Sequence, residues 1–385
     1  MIEQTMGKLT QQSSDAIWNL YLDSESSNPN KERLLEYLTN KDNFSVFSKE
    51  LAKIIQKKDS RLNDINSQLN YLISKAKEYN INIERNTLKN WLSGKTNPQG
   101  NATSRTNIYK LCFLLDFDFK QTIEFFTKAY LDRPFNYRKK EELVYAFCMN
   151  NNLTYDTAVQ IIDQLSQSTS PASNNAYSHT RYIGNNVLLL KNINELIRFI
   201  QVNKAEFNKN NTTSIDLVKE LMLQCQQITQ KNLETNDLPP INKVLSEIYS
   251  DNLEGIRSEF ALNTLSKASA FLDIVKMNFP QKQLYNSIIK GTASYHVIRK
   301  FLILLHFYVC FADKNSNYSF DDYLESADDM LFECGYSSLY YRNPYDWMFL
   351  YCASHDNPKN VFHEIMDLMF FTKCLEQGGE LNALS

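Results

Sequence analysis

Between Asn66 and Leu115, apolar residues recur at three- and four-residue spacing in three short blocks separated by turn residues, the pattern of consecutive amphipathic helices. In the middle block, Leu88, Trp91 and Leu92 fall at i, i+3 and i+4 and form a narrow apolar stripe. Arg85, Asn86, Thr87, Lys89 and Asn90 face away from that stripe, so the helix presents donors suited to phosphates and base edges. Gly94 supplies a left-handed residue to end this helix, and Pro98 prevents its continuation. Upstream, Phe47 to Gln56 reads as a helix with Leu51, Ile54 and Ile55 inward, followed by a polar segment from Lys57 to Ile65.

Helical spacing continues through most of the chain. Ala16 to Leu22 and the set Leu34, Leu35, Tyr37 and Leu38 predict helices that brace the basic segment following them. Further helices are expected at 122–126, 141–147, 154–162, 196–200, 217–223 and 271–275, with Thr154 as an N-cap. Only 9 Gly and 9 Pro occur in 385 residues, which favours helices over strands and turns. The expected fold is all-α: an N-terminal helix-turn-helix domain followed by a larger, irregular helical domain. Phe301 to Ala312 is apolar but shorter than the ~20 residues that span a bilayer, so it predicts a buried helix and no membrane partner. Asp132 to Lys140, with four basic groups, reads as a kinked connection that is either a solvent-exposed loop, the preferred reading, or a phosphate-backbone contact beside the middle block. The Ser/Asn-rich stretch from Ser166 to His179 has little to bury and predicts a linker. The expected division is therefore 1–43 as bracing helices, 44–165 as the helix-turn-helix domain with its helical extension, 166–181 as linker and 182–385 as a helical dimerisation, sensing or partner-binding domain. No clean repeat period emerges.

The segment from about 47 to 115 resembles the helix-turn-helix of the Cro/repressor (XRE-like) family. Asn66-Ser67-Gln68 matches the Ser/Thr-Gln opening of the family's second helix, and Leu69, Leu72 and Ala76 its buried side. Arg85 to Ser93 matches the recognition helix, closed by Gly94 to Pro98, and Ser104 to Leu115 matches the helix that follows. Two features depart from the pattern: the polar insertion at Lys57 to Ile65, and a connection through Tyr79-Asn80-Ile81-Asn82 that lacks the usual glycine. The resemblance implies that Gln68 contacts a backbone phosphate and that Arg85, Asn86, Thr87, Lys89, Asn90 and Lys95 contact bases or phosphates of double-stranded DNA. It also implies a homodimer on a palindromic site.

Charge points to the same segment by a separate route. Residues 44–115 hold 12 Lys/Arg against 5 Asp/Glu, whereas 1–43 hold 4 against 7, 116–185 hold 7 against 8, and 186–385 hold 18 against 24. A polyanion is drawn to a local excess of +7 inside a chain of net charge −3.

Catalytic signals are weak. No phosphate-binding glycine loop and no Gly-x-Ser-x-Gly elbow is present. Asp321, Glu325, Asp328 and Asp329 share a helix face that reads as a solvated acidic surface, and Cys352, His355 and His363 match no tight zinc spacing. Seven aromatics between Tyr336 and Tyr351 suit a packed core or a pocket for a protein or small-ligand partner. Seven dispersed cysteines without a Cys-x-x-Cys pair fit reduced thiols in a cytoplasmic protein, and the N-terminus lacks a targeting segment. The expected function is sequence-specific DNA binding by a non-enzymatic transcriptional regulator without cofactor or metal. The alternative is a helical interaction protein whose helix-turn-helix binds protein.

Overall fold

The computed structural model describes residues 2–22, 30–40, 42–98, 100–167, 180–204, 207, 212–249, 265–313 and 317–370. Among these residues all regular structure is helical and no strand occurs. The expected linker lies almost wholly outside the described residues.

The chain divides into a middle unit, 45–212 with 294–296, and a terminal unit, 1–44 with 213–293 and 297–385. The middle unit holds α3 Phe47–Lys58, α4 Ile65–Glu78, α5 Arg85–Leu92, α6 Ala102–Leu114, α7 Phe119–Phe125 with a π turn Phe126–Tyr130, α8 Lys140–Asn150, α9 Tyr155–Gln167, α10 Thr180–Leu189 and α11 Ile193–Val202. The terminal unit holds α1 Ile2–Trp18, α2 Lys31–Thr39, α13 Ile241–Ile248, α14 Ser269–Asn278, α15 Leu284–Ile289, α17 Phe320–Glu333, α18 Pro344–Ala353 and α19 Pro358–Phe370, with nearly all of α12 Thr212–Asn232 and α16 Tyr295–Phe311.

The N-terminal helices group with the C-terminal ones, a different arrangement from the sequence expectation that they brace the basic segment. Their apolar stripes find their partners there: α1 packs on α17 and α18, and α2 on α14. Tyr37 of α2 stacks on Trp347 of α18, with ring centroids 5.7 Å apart. The aromatics from Tyr336 to Tyr351 are core: all but the half-buried Tyr341 are buried. Phe301 to Cys310 lie in α16, buried along almost their whole length, as the apolar run predicts. The six described cysteines are buried, and none of them forms a disulfide among the described residues.

Each unit is organised around one buried arginine. In the middle unit, Arg105 of α6 donates from Nε to Glu142 Oε1 at 2.8 Å and from Nη2 to Glu142 Oε2 at 2.7 Å. The same guanidinium reaches Asp132 Oδ2 at 3.2 Å and the Pro134 carbonyl at 3.3 Å, and Asn136 N–H donates to Glu142 Oε2 at 2.8 Å. Burial alone would raise the Glu142 carboxyl, but the Arg105 charge and these hydrogen bonds outweigh it and hold the group below its ordinary value. Asp132, Arg133 and Asn136 are themselves buried. The connection expected to be an exposed basic loop is thus in large part interior, because its polar groups complete the shell that a buried guanidinium requires.

In the terminal unit, Arg299 of α16 makes a two-pronged pair with Asp346 of α18, 2.7 Å on each prong, and donates to the carbonyls of Ser337 and Ser338 at 3.3 and 3.2 Å. Tyr340 N–H donates to Asp346 Oδ2 at 3.0 Å. The same segment is held from its other side: Ser13 of α1 donates to the Leu339 carbonyl at 3.0 Å, and Asp328 of α17 accepts Leu339 N–H at 2.9 Å and the Thr10 hydroxyl. Burial pushes the Asp328 carboxyl up to about 6, its hydrogen bonds countering only part of the effect.

Two outcomes follow. Arg105→Met leaves Glu142 and Asp132 buried without their counterion and should cost about 3–5 kcal/mol in urea unfolding, while adding Glu142→Leu should restore part of the loss; a single-variant cost below about 1 kcal/mol would show that the pair does not hold the unit together. For Asp328, the folded state binds the proton more tightly than the unfolded chain, so its contribution is present below the ordinary carboxyl value of 3.8 and lost as pH rises through about 6. Asp328→Asn should remove a decline of roughly 2–3 kcal/mol between those pH values. An unchanged stability–pH curve would contradict this.

Candidate nucleic-acid interface

α5 is placed by the two helices that precede it in sequence. α3 buries Phe47, Leu51 and Ile55, and α4 buries Leu69, Leu72 and Ala76. α5 packs on both, with Leu88, Trp91 and Leu92 inward and the Trp91 ring edge-on to Phe47 at 5.7 Å. The predicted stripe is therefore the buried side of the helix.

The polar insertion after α3 is short and locally ordered by hydrogen bonds. α3 extends to Lys58, and the Asp59 carboxylate accepts both the backbone N–H and the guanidinium of Arg61. Asp64 then opens α4 through a capping box with Ser67, so the helix starts one residue before Asn66. The connection from α4 to α5 manages without glycine because Asn80 takes the left-handed conformation, at φ 51°. Ile81 N–H bonds to the Ala76 carbonyl at 2.8 Å and Asn80 N–H to that of Lys77 at 3.3 Å, a Schellman stop. From α6, Lys110 Nζ donates to the Asn82 carbonyl at 2.7 Å and fixes the connection from behind.

Of the residues expected to contact DNA, Arg85, Asn86, Lys89 and Lys95 are exposed, and Thr87 and Asn90 are half-buried on the same helix. Gln68 is the correction. It is 2 % exposed, and its Nε2 donates to the Leu62 carbonyl at 3.0 Å, so its amide closes the α3–α4 connection instead of standing on the surface. Asn70, exposed on α4, accepts from Arg85 Nη2 at 3.5 Å. This neighbour lies 15 residues away in sequence and had no local signal.

Comparison with protein-family models, characterised proteins and solved structures finds no match to this chain.

The basic excess is smaller at the surface than in the sequence. Arg105 is buried and neutralised by carboxylates outside 44–115, leaving 11 Lys/Arg against 5 acids. Lys53, Arg61 and Lys75 pair with Glu50, Asp59 and Glu78 at 3.2, 2.7 and 3.1 Å. Such exposed pairs are worth little individually, but they lower the local potential. Lys89 and Lys95 make no ion pair among the described residues.

The acidic face of α17 is disposed differently. Asp321, Glu325, Asp328 and Asp329 line a cavity of about 540 Å³ with Thr10, Gln11 and Ser14 of α1. Among the described residues, no group of three or more His, Cys, Asp or Glu is placed to hold a metal ion. His355 Nδ1 lies 2.8 Å from the Tyr351 carbonyl, a contact internal to the helix end.

Gly94 ends α5 at φ 69°, and a Cβ there would stand 3.0 Å from Ser48 Oγ. Gly94→Ala should therefore cost about 1 kcal/mol or more of stability. A thermal midpoint equal to that of the parent protein would mean that α5 does not depend on this stop.

Proposed function

We propose that this protein binds duplex DNA in a sequence-specific way through the outward face of α5 and acts as a transcriptional regulator. One observation carries the reading. A helix anchored on its apolar side by Leu88, Trp91 and Leu92 presents Arg85, Asn86 and Lys89 to solvent within the most basic segment of the chain. The resemblance to the Cro/repressor helix-turn-helix supports the same assignment. Arg85 and Asn86, at the start of the helix, have the donor geometry for base edges, and Lys89 and Lys95 suit phosphates. Gln68 has no part in this assignment. A single such module binds weakly, and the two-fold dimer expected from the sequence would meet the need for a second reading surface with a second chain.

Full-length protein titrated against random-sequence duplex pools at two salt concentrations should bind, with affinity falling steeply as salt rises. In the selected site, Arg85→Ala or Asn86→Ala should cost about 1–3 kcal/mol and relax preference at one base pair, whereas Lys89→Ala and Lys95→Ala should weaken all sequences alike. Absence of binding at low salt would remove the proposal. Equal, sequence-independent losses from all four variants would show that α5 does not read bases.

A further inference from the structure

The two arginine clamps share one register. In the middle unit the carboxylate is Glu142, the third residue of α8. It accepts the N–H of the residue six positions earlier, Asn136, while Arg105 donates to the carbonyl eight positions earlier, that of Pro134. In the terminal unit the carboxylate is Asp346, the third residue of α18. It accepts the N–H of Tyr340, six positions earlier, while Arg299 donates to the carbonyl of Ser338, eight positions earlier. Eleven positions before each carboxylate, a left-handed residue follows the preceding helix: Leu131 at φ 58° and Gly335 at φ 74°. Lys139 N–H to Asn136 O and Asn343 N–H to Tyr340 O close matching turns at 2.9 and 2.8 Å. Tyr137-Arg138 and Cys148 fall in register with Tyr341-Arg342 and Cys352. The helices before the clamps, α7 and α17, both open with a capping box, from Asp118 and Ser319, followed by phenylalanine.

The correspondence extends upstream. α5 and α15 both stop at a left-handed glycine, Gly94 at φ 69° and Gly291 at φ 71°. In each, the glycine N–H bonds to the carbonyl three residues back, and the N–H two residues on bonds to the carbonyl four before the glycine: Thr96 to Asn90 at 3.4 Å and Ala293 to Ser287 at 3.1 Å. The two units thus share this arrangement at unequal spacing. Arginine and carboxylate are 37 residues apart in one unit and 47 in the other, so no fixed period appears in the sequence.

We propose that the segment Gln281 to Thr292 of the terminal unit is a second duplex-DNA contact surface, the counterpart of Arg85 to Lys95. The inference rests on the DNA-binding reading of α5. Aligned on the two glycines, Arg85, Asn86, Lys89 and Asn90 correspond to Lys282, Gln283, Asn286 and Ser287, all polar. Leu88 and Trp91 correspond to Tyr285 and Ile288, both buried, whereas Leu92 corresponds to the exposed Ile289. Gln283, Asn286 and Lys290 are exposed. Charge is the independent support. Residues 265–300 hold 6 Lys/Arg and 1 Asp/Glu, inside a stretch, 186–385, that holds 18 against 24. With Arg299 buried on Asp346 and Lys276 donating to the Met369 carbonyl, the segment 281–292 itself still carries Lys282 and Lys290 and no carboxylate, and a phosphate backbone is the polyanion that complements it.

The test compares four full-length proteins on a duplex long enough for two half-sites: the parent, Arg85→Ala with Lys89→Ala, Lys282→Ala with Lys290→Ala, and a control, Lys219→Ala with Lys243→Ala, which removes the same charge elsewhere in the terminal unit. Lys282→Ala with Lys290→Ala should lower affinity ~10-fold at moderate salt and flatten the salt dependence by roughly two phosphate contacts. The control should stay within about twofold, a change of less than half a kcal/mol. Helical content by circular dichroism, and the milder pair Lys282→Gln with Lys290→Gln, separate a binding loss from a folding loss. Unchanged affinity and salt slope for the 282/290 pair, with loss from the 85/89 pair, would overturn the second surface and leave the α5 reading standing. Equal loss from the control would overturn it as non-specific charge attraction. No binding by the parent would remove both readings together.

Discussion

A guanidinium taken out of water can be tolerated only where carboxylates and carbonyls converge on it, and this requirement dictates how each unit is built. Arg105 and Arg299 reach across the chain to the first turn of a later helix, where the carboxylate also benefits from the positive end of the helix dipole. The residues before that helix supply the remaining acceptors, so their backbone path is constrained as tightly as that of a helix. Shifting α6 or α16 by one residue would strand a cation in a dry interior. Aromatic packing tolerates more adjustment: Tyr109, Phe126 and Phe135 in the middle unit and Phe271, Trp347 and Tyr351 in the terminal unit fill space around the clamps.

The proposed α5 interface is held in place by side chains that do not face solvent: the helix stands on α3 and α4 through Leu88, Trp91 and Leu92. A helix arranged in this way leaves its outward positions open to change without loss of fold, and a surface that must recognise a particular partner needs that freedom.

The sequence carried what is local. The stripe of Leu88, Trp91 and Leu92, the stop at Gly94 and the buried run in α16 were all legible, because periodicity and turn chemistry act over a few residues. Contacts between distant residues were not. Arg133 and Asn136 sit in a segment whose composition signals solvent, yet both are buried against Tyr295, 159 residues from Asn136, whose hydroxyl meets the Asn136 amide and whose ring lies against the Arg133 guanidinium. Gln68 has the residue type and position of a phosphate contact, yet the insertion before it places the Leu62 carbonyl within its reach. The N-terminal stripes were visible, but nothing in them names α17 or α14 as a partner. The likeness of the two clamps was not legible because it lies in hydrogen-bond register and not in residue identity or spacing.

The helix stops have a consequence for how far this chain is from its thermal ceiling. Asn80, Asp116, Leu131, Asn152 and Glu234 all adopt positive φ between 50 and 58°. For Leu131 and Glu234, which lack the short polar side chains that ease this conformation, the strain is on the order of 1 kcal/mol each. Natural selection holds proteins only above the threshold that their work demands, and such residues are reserves left unused. A chain with this many non-glycine stops has unrealised heat resistance written into its turns, separate from its core and from the surfaces proposed to bind DNA.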